Sequence, residues 1–530
     1  MKNAYAQVST RKTPQSQPVM GRTDMSPNNA GGYGFNVNDW QRLDRFLILG
    51  SEGGTYYVAE QALTLQNAEA TLRCIAADGA RAVECIAAVS EGGLAPKNDP
   101  AIFALALAAS HGDGATRALA LRALPRVCRI PTHLFSFVSY CQGHRGWGRG
   151  LRQAIRHWYG DMAPEKLAYE VVKYQQRNGW SNRDLLCLAH PTPHGEVQAA
   201  IYRWIVKGLL TENAPRIIAA FEDAKAVTDM KELAGMVRTD GLPREALPTQ
   251  ALDRPEVWEA LLEQMPMTAM VRNLAKMTAV GLLKPMGDAT RRVVSRLGDG
   301  EALARARLHP LTILSALAVY QQGHGKKGSL KWQPVREVVE ALDAAFYLAF
   351  RAVVPTGKRI VLGVDVSGSM SGTPTAGLPH VSCDLAAAAM ALVTAATERD
   401  WVVVPFDRQA YKLTIGPRQR LDDVMQAICA LPHGGTDCAV PILVAAHERW
   451  PVDAFVIYTD GETWAGEQHV YQALQEYRRI TGIPARLVCV AMAANHTSIA
   501  DPTDPLTLNV VGFDASTPQA IGQFIAGALA

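Results

Sequence analysis

Asp365, Ser367 and Ser369 set a carboxylate and two hydroxyls at every second position of one short stretch. The stretch follows Ile360–Val364, an apolar run that is β-branched except at Leu362 and Gly363 and reads as a buried strand of a parallel sheet. Just beyond a strand end, all three oxygens can turn toward one point. Hard divalent cations prefer such a shell, Mg²⁺ first, with Mn²⁺ and Ca²⁺ as alternatives. Two later loops offer more oxygen. Gly434-Gly435-Thr436-Asp437 carries a hydroxyl on a flexible turn, and Thr459-Asp460-Gly461-Glu462 follows a second apolar run, Ala454–Tyr458. Asp437 and Glu462 read as solvated loop acids.

A different chemistry precedes that strand. Lys173 and Arg177 are spaced i,i+4, which puts them on one helical face about 6 Å apart at Cβ. Asn178-Gly179 then stops the helix, Ser181 caps the next, and that one carries Arg183 and ends near His190-Pro191. Two cations and an imidazole around such a corner can grip a phosphate backbone. Upstream, Arg149, Arg152 and Arg156 recur at i, i+3 and i+7, with Arg145, His157 and Trp158 nearby; Lys326, Lys327 and Lys331 form a third basic group. Guanidinium groups suit phosphate, and aromatic rings can stack on unpaired bases. Taken singly, each cationic stripe is equally well a solvated helix face, and Trp158 and Trp180 read as core residues.

The elements that must position these residues fall into two halves. From Asn38, Ala-, Leu- and Arg-rich segments such as Thr55–Ala76, Ala101–Ser110, Gly114–Leu124, Lys166–Arg177, Val197–Leu209 and Trp258–Met265 alternate with Gly, Pro or Asp breakers. Helix pairs at a loose period of about 35–45 residues predict an α-solenoid of the HEAT kind. After Pro355-Thr356-Gly357 the rhythm changes. Strand-like runs at Ile360–Val364, Trp401–Phe406, Ala454–Tyr458, Arg486–Ala491 and Thr507–Val511 alternate with helical segments Ser382–Glu398, Leu421–Leu431, Pro441–Arg449 and Glu467–Arg479. That alternation predicts a doubly wound, Rossmann-like parallel sheet, whose ligands sit at the carboxyl ends of the strands. The expected division is a disordered polar tail over 1–35, a helical-repeat region over 36–355 and an α/β domain over 356–530.

Charge divides the same way. Residues 356–530 carry 11 Lys and Arg against 17 Asp and Glu, a net of −6, which leaves residues 1–355 at +9. The basic half suits a polyanionic partner and the acidic half a cation. Nine cysteines without a Cys-x-x-Cys argue for reduced thiols rather than a disulfide framework or structural zinc. The N-terminus lacks the apolar core of a signal peptide, and no apolar run approaches the roughly 18–20 residues of a membrane span. A cytoplasmic protein is expected. Enzymatic motifs fail on inspection. Met370 takes the nucleophile's place in Gly368-Ser369-Met370-Ser371-Gly372, Ser329 stands where a phosphate loop needs Lys, and there is no His-Glu-x-x-His.

The Asp-x-Ser-x-Ser stretch, with the Gly-Gly-Thr and Thr-Asp-Gly loops in order, resembles the metal-ion-dependent adhesion site of von Willebrand factor A domains. The resemblance implies metal ligation by Asp365, Ser367, Ser369, Thr436 and Asp460, with one position open to water or a partner's carboxylate. The helical half resembles the TROVE module of the Ro autoantigen family. The residues that carry this are Phe46-Leu-Ile-Leu-Gly-Ser-Glu-Gly-Gly-Thr-Tyr-Tyr57, Asn67-Ala-Glu-Ala70, Gly146-Trp-Gly-Arg149, the stretch Lys173–His190, Arg307-Leu-His-Pro310, Gly323-His-Gly325, Lys331-Trp332 and Ala341–Tyr347. A bacterial member of that family is implied: a monomeric ring of HEAT-like helices closed by the von Willebrand A domain. By the same resemblance, Lys173, Arg177 and His190 hold a small Y-like RNA on the outer surface. Single-stranded 3′ ends of misfolded RNAs enter a central hole, and a 3′-to-5′ exoribonuclease is an implied partner. Arg149, Arg152, Lys326 and Lys331 join the RNA-binding set on charge alone. Residues 211–300 depart most from the family pattern, and no ring-lining residue is assigned there. The rival expectation is a metal-dependent protein-docking scaffold that binds no RNA.

Overall fold

The five apolar runs of the C-terminal half pair in the order Thr507–Val511, Arg486–Ala491, Ala454–Thr459, Ile360–Asp365, Trp401–Phe406, every pair parallel. Ile360–Asp365 and Ala454–Thr459 are buried along their whole length, as expected of central strands covered by helices on both faces. The first strand of the domain thus lies between the second and the third. The sheet's topological switch point falls between Ile360–Asp365 and Ala454–Thr459, and the crevice beyond their carboxyl ends is where such sheets bind ligands. Gly363 allows close helix packing on the first strand: a Cβ there would meet Pro441 Cγ at 2.7 Å and Ile457 Cδ1 at 2.8 Å.

The computed structural model describes residues 12–36, 38–49, 68–92, 95, 97–325, 329–376, 378–493, 497–513 and 517–527. Residues 50–57 and Asn67 of the family-like stretches, the first part of the expected Thr55–Ala76 helix, and Lys326 and Lys327 lie outside these.

Upstream of the sheet the chain is helical from Asp39–Leu49 to Arg336–Leu348. Asp99–His111 is the hub of the first helices. Pro100 to Ala109 are all buried, so it is apolar around its whole circumference, and it packs on Gly79–Gly92, Gly114–Arg122 and Pro131–His144. Later helices pair as neighbours, Met230–Asp240 with Pro255–Gln264 and Pro310–Gln321 with Arg336–Leu348. Local caps set their starts: Asp113, Asp229 and Asp299 each accept a backbone N–H of the first turn.

The expected disordered tail over 1–35 needs correcting for its described part. Residues 12–36 form a strap on the α/β domain. Met25–Pro27 and Tyr33–Asn36 pair antiparallel, and Tyr33–Asn36 pairs in turn with Thr497–Ser498. Gln15 is fully buried. Its Nε2 donates to Asp437 Oδ1 at 2.7 Å and to the Gln468 carbonyl at 2.9 Å, and its Oε1 accepts from Thr463 Oγ1. Arg22 bonds Asp24 and Asp501 and lies over the Phe35 ring, 4.7 Å from its centroid. The polar composition that resembles disorder supplies the hydrogen bonds of a docked segment. The helical region therefore meets the α/β domain at both ends. At its start the strap leads directly into Asp39–Leu49. At its finish Tyr347 Oη accepts the Leu421 N–H at 2.9 Å, and Asp343 pairs with Arg420 at 2.7 Å.

Candidate functional site

Asp365 ends the first strand of the sheet and is almost completely buried. Its Oδ1 accepts the Ser367 N–H at 2.8 Å and its Oδ2 accepts Thr459 Oγ1–H at 2.7 Å, while Ser367 Oγ and Ser369 Oγ lie 3.1 Å apart. Burial, then the nearby Asp460 carboxylate, pushes the Asp365 carboxyl up to about 7. Two buried carboxylates near each other are a costly arrangement that a cation would relieve.

The other loops are drawn to the same place. His433 Nδ1 contacts the Val366 carbonyl at 2.6 Å, and the Thr436 carbonyl accepts from Trp464 N at 3.0 Å and Ala465 N at 3.1 Å. Thr436, Ser367 and Asp460 are all buried. The structure thus gathers the loops that carry all five expected ligands at the switch point. Two carboxylates and three hydroxyls form an all-oxygen set suited to a hard divalent cation. Among the described residues no three or more His, Cys, Asp or Glu side chains gather into a metal-holding group.

One expectation here is overturned. Asp437 is buried rather than solvated: it bonds Gln15 and the Ala439 N–H, and burial pushes it up to about 6. Glu462 holds the strap, accepting from Asn29 Nδ2 at 2.8 Å and the Ala30 N–H at 3.1 Å. Sequence reasoning also missed Asp407, just past the Trp401–Phe406 strand. It is buried, accepts from Tyr411 Oη at 2.9 Å, and its carbonyl accepts the Asp437 N–H. Its position at a third strand end was the available signal.

The basic corner is built differently from the expectation. The helix Pro164–Lys173 ends at Lys173, and Arg177 belongs to a two-stranded hairpin, Gln176–Arg177 with Trp180–Ser181. Asn178 (φ 53°) and Gly179 (φ 77°) form its two-residue turn, the left-handed pair that Asn-Gly favours. Lys173 and Arg177 therefore do not share a helical face. Lys173 lies near the Tyr169 and Tyr174 rings, 5.4 and 5.2 Å from their centroids, and Arg177 pairs with Asp99 at 2.8 Å. Ser181 does cap Asn182–Ala189, in a reciprocal capping box with Asp184, and His190 closes that helix in the left-handed conformation.

Arg149 and Arg152 are exposed on Arg149–Gly160, whose Leu151, Ile155, Trp158 and Tyr159 face the core. Arg156 ties that helix to the next, donating to the Ala189 carbonyl at 2.5 Å. Trp147 packs on Trp180 of the hairpin, with centroids 5.6 Å apart. Lys173, Arg177, His190, Arg149 and Arg152 thus belong to one set of packed elements. Lys331 does not: it pairs with His324 and lines a separate recess with Lys276 and Asp253. Lys326 lies outside the described residues.

With this geometry in place, comparison with known proteins is decisive. The TROVE domain matches residues 26–214 and 216–319, and the Ro60 vWA domain matches residues 359–525. The chain belongs to the Ro60 family of TROVE-domain proteins. It is similar to the RNA-binding protein RO60 of Deinococcus radiodurans, 40% identical over 99% of this chain and 100% of that one. It is also similar to the RNA-binding protein RO60 of Caenorhabditis elegans, 37% identical over 94% of this chain and 90% of that one. The crystal structure of the Deinococcus radiodurans RO (RSR) protein superposes with a TM-score of 0.79, covering 93% of this chain and all of that one. The expected fold, a helical-repeat region followed by a doubly wound α/β domain, holds.

Proposed function

We propose that this chain is a non-enzymatic RNA-binding protein of small-RNA ribonucleoproteins, serving quality control or processing of non-coding RNA in the cytoplasm. The observation that carries the reading is full-length similarity to two proteins named RNA-binding protein RO60. The basic corner around Lys173, Arg177 and His190, with Arg149 and Arg152 on the adjoining helix, supplies the chemistry. A Y-like small RNA would dock there through its phosphates. The single-stranded 3′ ends of misfolded RNAs would enter a central hole of the monomeric ring, for delivery to a 3′-to-5′ exoribonuclease. A divalent cation at Asp365, Ser367, Ser369, Thr436 and Asp460, Mg²⁺ before Mn²⁺ or Ca²⁺, would supply a positive centre able to accept a partner's carboxylate.

Sequencing of RNA co-purified with the wild type and with Lys173→Ala, Arg177→Ala tests this reading. One abundant small RNA, lost in the variant, is the expected result. Absence of enriched RNA in the wild type would favour a metal-dependent docking scaffold instead.

A further inference from the structure

Arg117, Arg145 and Arg149 line one cavity of about 410 Å³ between Gly114–Arg122, the end of Pro131–His144 and the start of Arg149–Gly160. Its size falls within the roughly 300–1,000 Å³ of small-ligand pockets. Leu121, Cys141 and Leu151 make part of the lining apolar. The three guanidinium groups differ from Arg156 and Arg177 of this face. Arg156 is engaged by the Ala189 carbonyl and Arg177 by Asp99, whereas none of the three forms an ion pair with a described residue. Asp113, the nearby acid, is engaged in capping, its carboxylate accepting the Thr116 N–H at 2.7 Å.

Backbone completes the wall. A Cβ placed at Gly114, Gly146 or Gly148 would meet nothing within 4 Å, so main chain faces open space at those points. Trp147, between two of these glycines in sequence, turns instead to the core and to Trp180. A multiply cationic recess suits a group of dense negative charge.

We propose that this cavity binds the terminal phosphate of an RNA strand. The inference rests on the RNA-binding reading above. Charge selects the end of a strand. An internal phosphodiester brings one negative charge to three guanidiniums, whereas a terminal phosphomonoester carries about −1.5 to −2 at neutral pH and a 5′-triphosphate more. Arginine's planar donors suit the additional free oxygens.

The test uses the full chain and one single-stranded RNA carrying a 5′-hydroxyl, 5′-monophosphate, 5′-triphosphate or 3′-phosphate end. A phosphorylated end should bind about tenfold tighter than the hydroxyl end, equivalent to about 1.4 kcal/mol, and the 5′ and 3′ arms identify which end is read. Inorganic tripolyphosphate should compete this advantage away. In Arg117→Gln, Arg145→Gln the ratio should return to about one. Arg145→Gln alone, at an exposed helix end, should lower the ratio without the risk of misfolding. Equal affinity for every end in the wild type would overturn this inference and leave the RNA-binding reading standing, as would an advantage that survives both arginine variants. Failure to bind any of the RNAs would overturn both.

Discussion

At Asp365 the candidate oxygens other than Ser369 Oγ are buried, and bonds between residues far apart in the chain hold the loops: Thr459 to Asp365, His433 to Val366, Gln15 to Asp437. Around Lys173 the cations are largely exposed, and local chain geometry sets them: a helix end, a two-residue turn, a capping box. The difference fits what each site is proposed to handle. A small hard cation demands several oxygens converging on one point, which packed loops at a sheet edge can enforce. A phosphate backbone is large and uniformly charged, so exposed cations on separate turns suffice and buried ones would be costly. Substitutions at the first site should therefore register in stability, and those at the second in affinity.

Gln15→Leu should give the largest stability loss. It removes the amide that satisfies Asp437, Thr463 and the Gln468 carbonyl, and leaving such buried groups unpaired costs about 2–4 kcal/mol in all. Urea unfolding measures it, and a loss below about 1 kcal/mol would show that the strap is not tied to these loops. The next effect concerns the cation. Mg²⁺ at a hundred times its dissociation constant should stabilise the wild type by about 2.7 kcal/mol over chelator, and Asp365→Asn should abolish that increment. An equal Mg²⁺ effect in both proteins would place the ion elsewhere.

The basic corner should behave in the opposite way. Lys173→Ala with Arg177→Ala removes one exposed ion pair, Arg177 with Asp99, so stability should change by less than about 1 kcal/mol. RNA affinity should fall at least about tenfold, and the slope of log affinity against log salt should become shallower by about 1.4 to 1.8, the counterions of two phosphate contacts. A large melting shift with unchanged RNA affinity would reverse the comparison.

Legibility in the sequence follows the same division. The five parallel strands stand out because each is a short apolar run between turn residues, and Trp401–Phe406, Arg486–Ala491 and Thr507–Val511 match the structure residue for residue. The strand-end positions of Asp365 and Asp460 are legible because each follows one of these apolar runs. The strap was not, since the partners of Gln15 and Arg22 in the α/β domain lie more than 400 residues away and a polar composition does not reveal them. The hairpin at Arg177 was misread because Lys173 and Arg177 also satisfy helical spacing. Arg117 escaped notice because only folding brings it to the cavity with Arg145 and Arg149.

The smallest predicted effect probes that hairpin. Gly179 has a φ of 77°, and a Cβ there would meet nothing within 4 Å, so Gly179→Ala introduces backbone strain without a clash. An alanine in the left-handed region costs about 1 kcal/mol. The hairpin is short and borders the exposed face, so the strain should be relieved locally, by loosening Arg177 from Asp99 and Trp180 from Trp147. Hydrogen exchange of the Trp180 and Ser181 amides should then rise while the global unfolding midpoint barely moves. RNA affinity should fall by severalfold, less than in the double alanine variant, because the cations remain and only their placement is disturbed. A loss as large as that of the double variant would mean that the rigid turn matters more than the charges, and the basic corner would then resemble the buried metal loops in depending on fixed geometry.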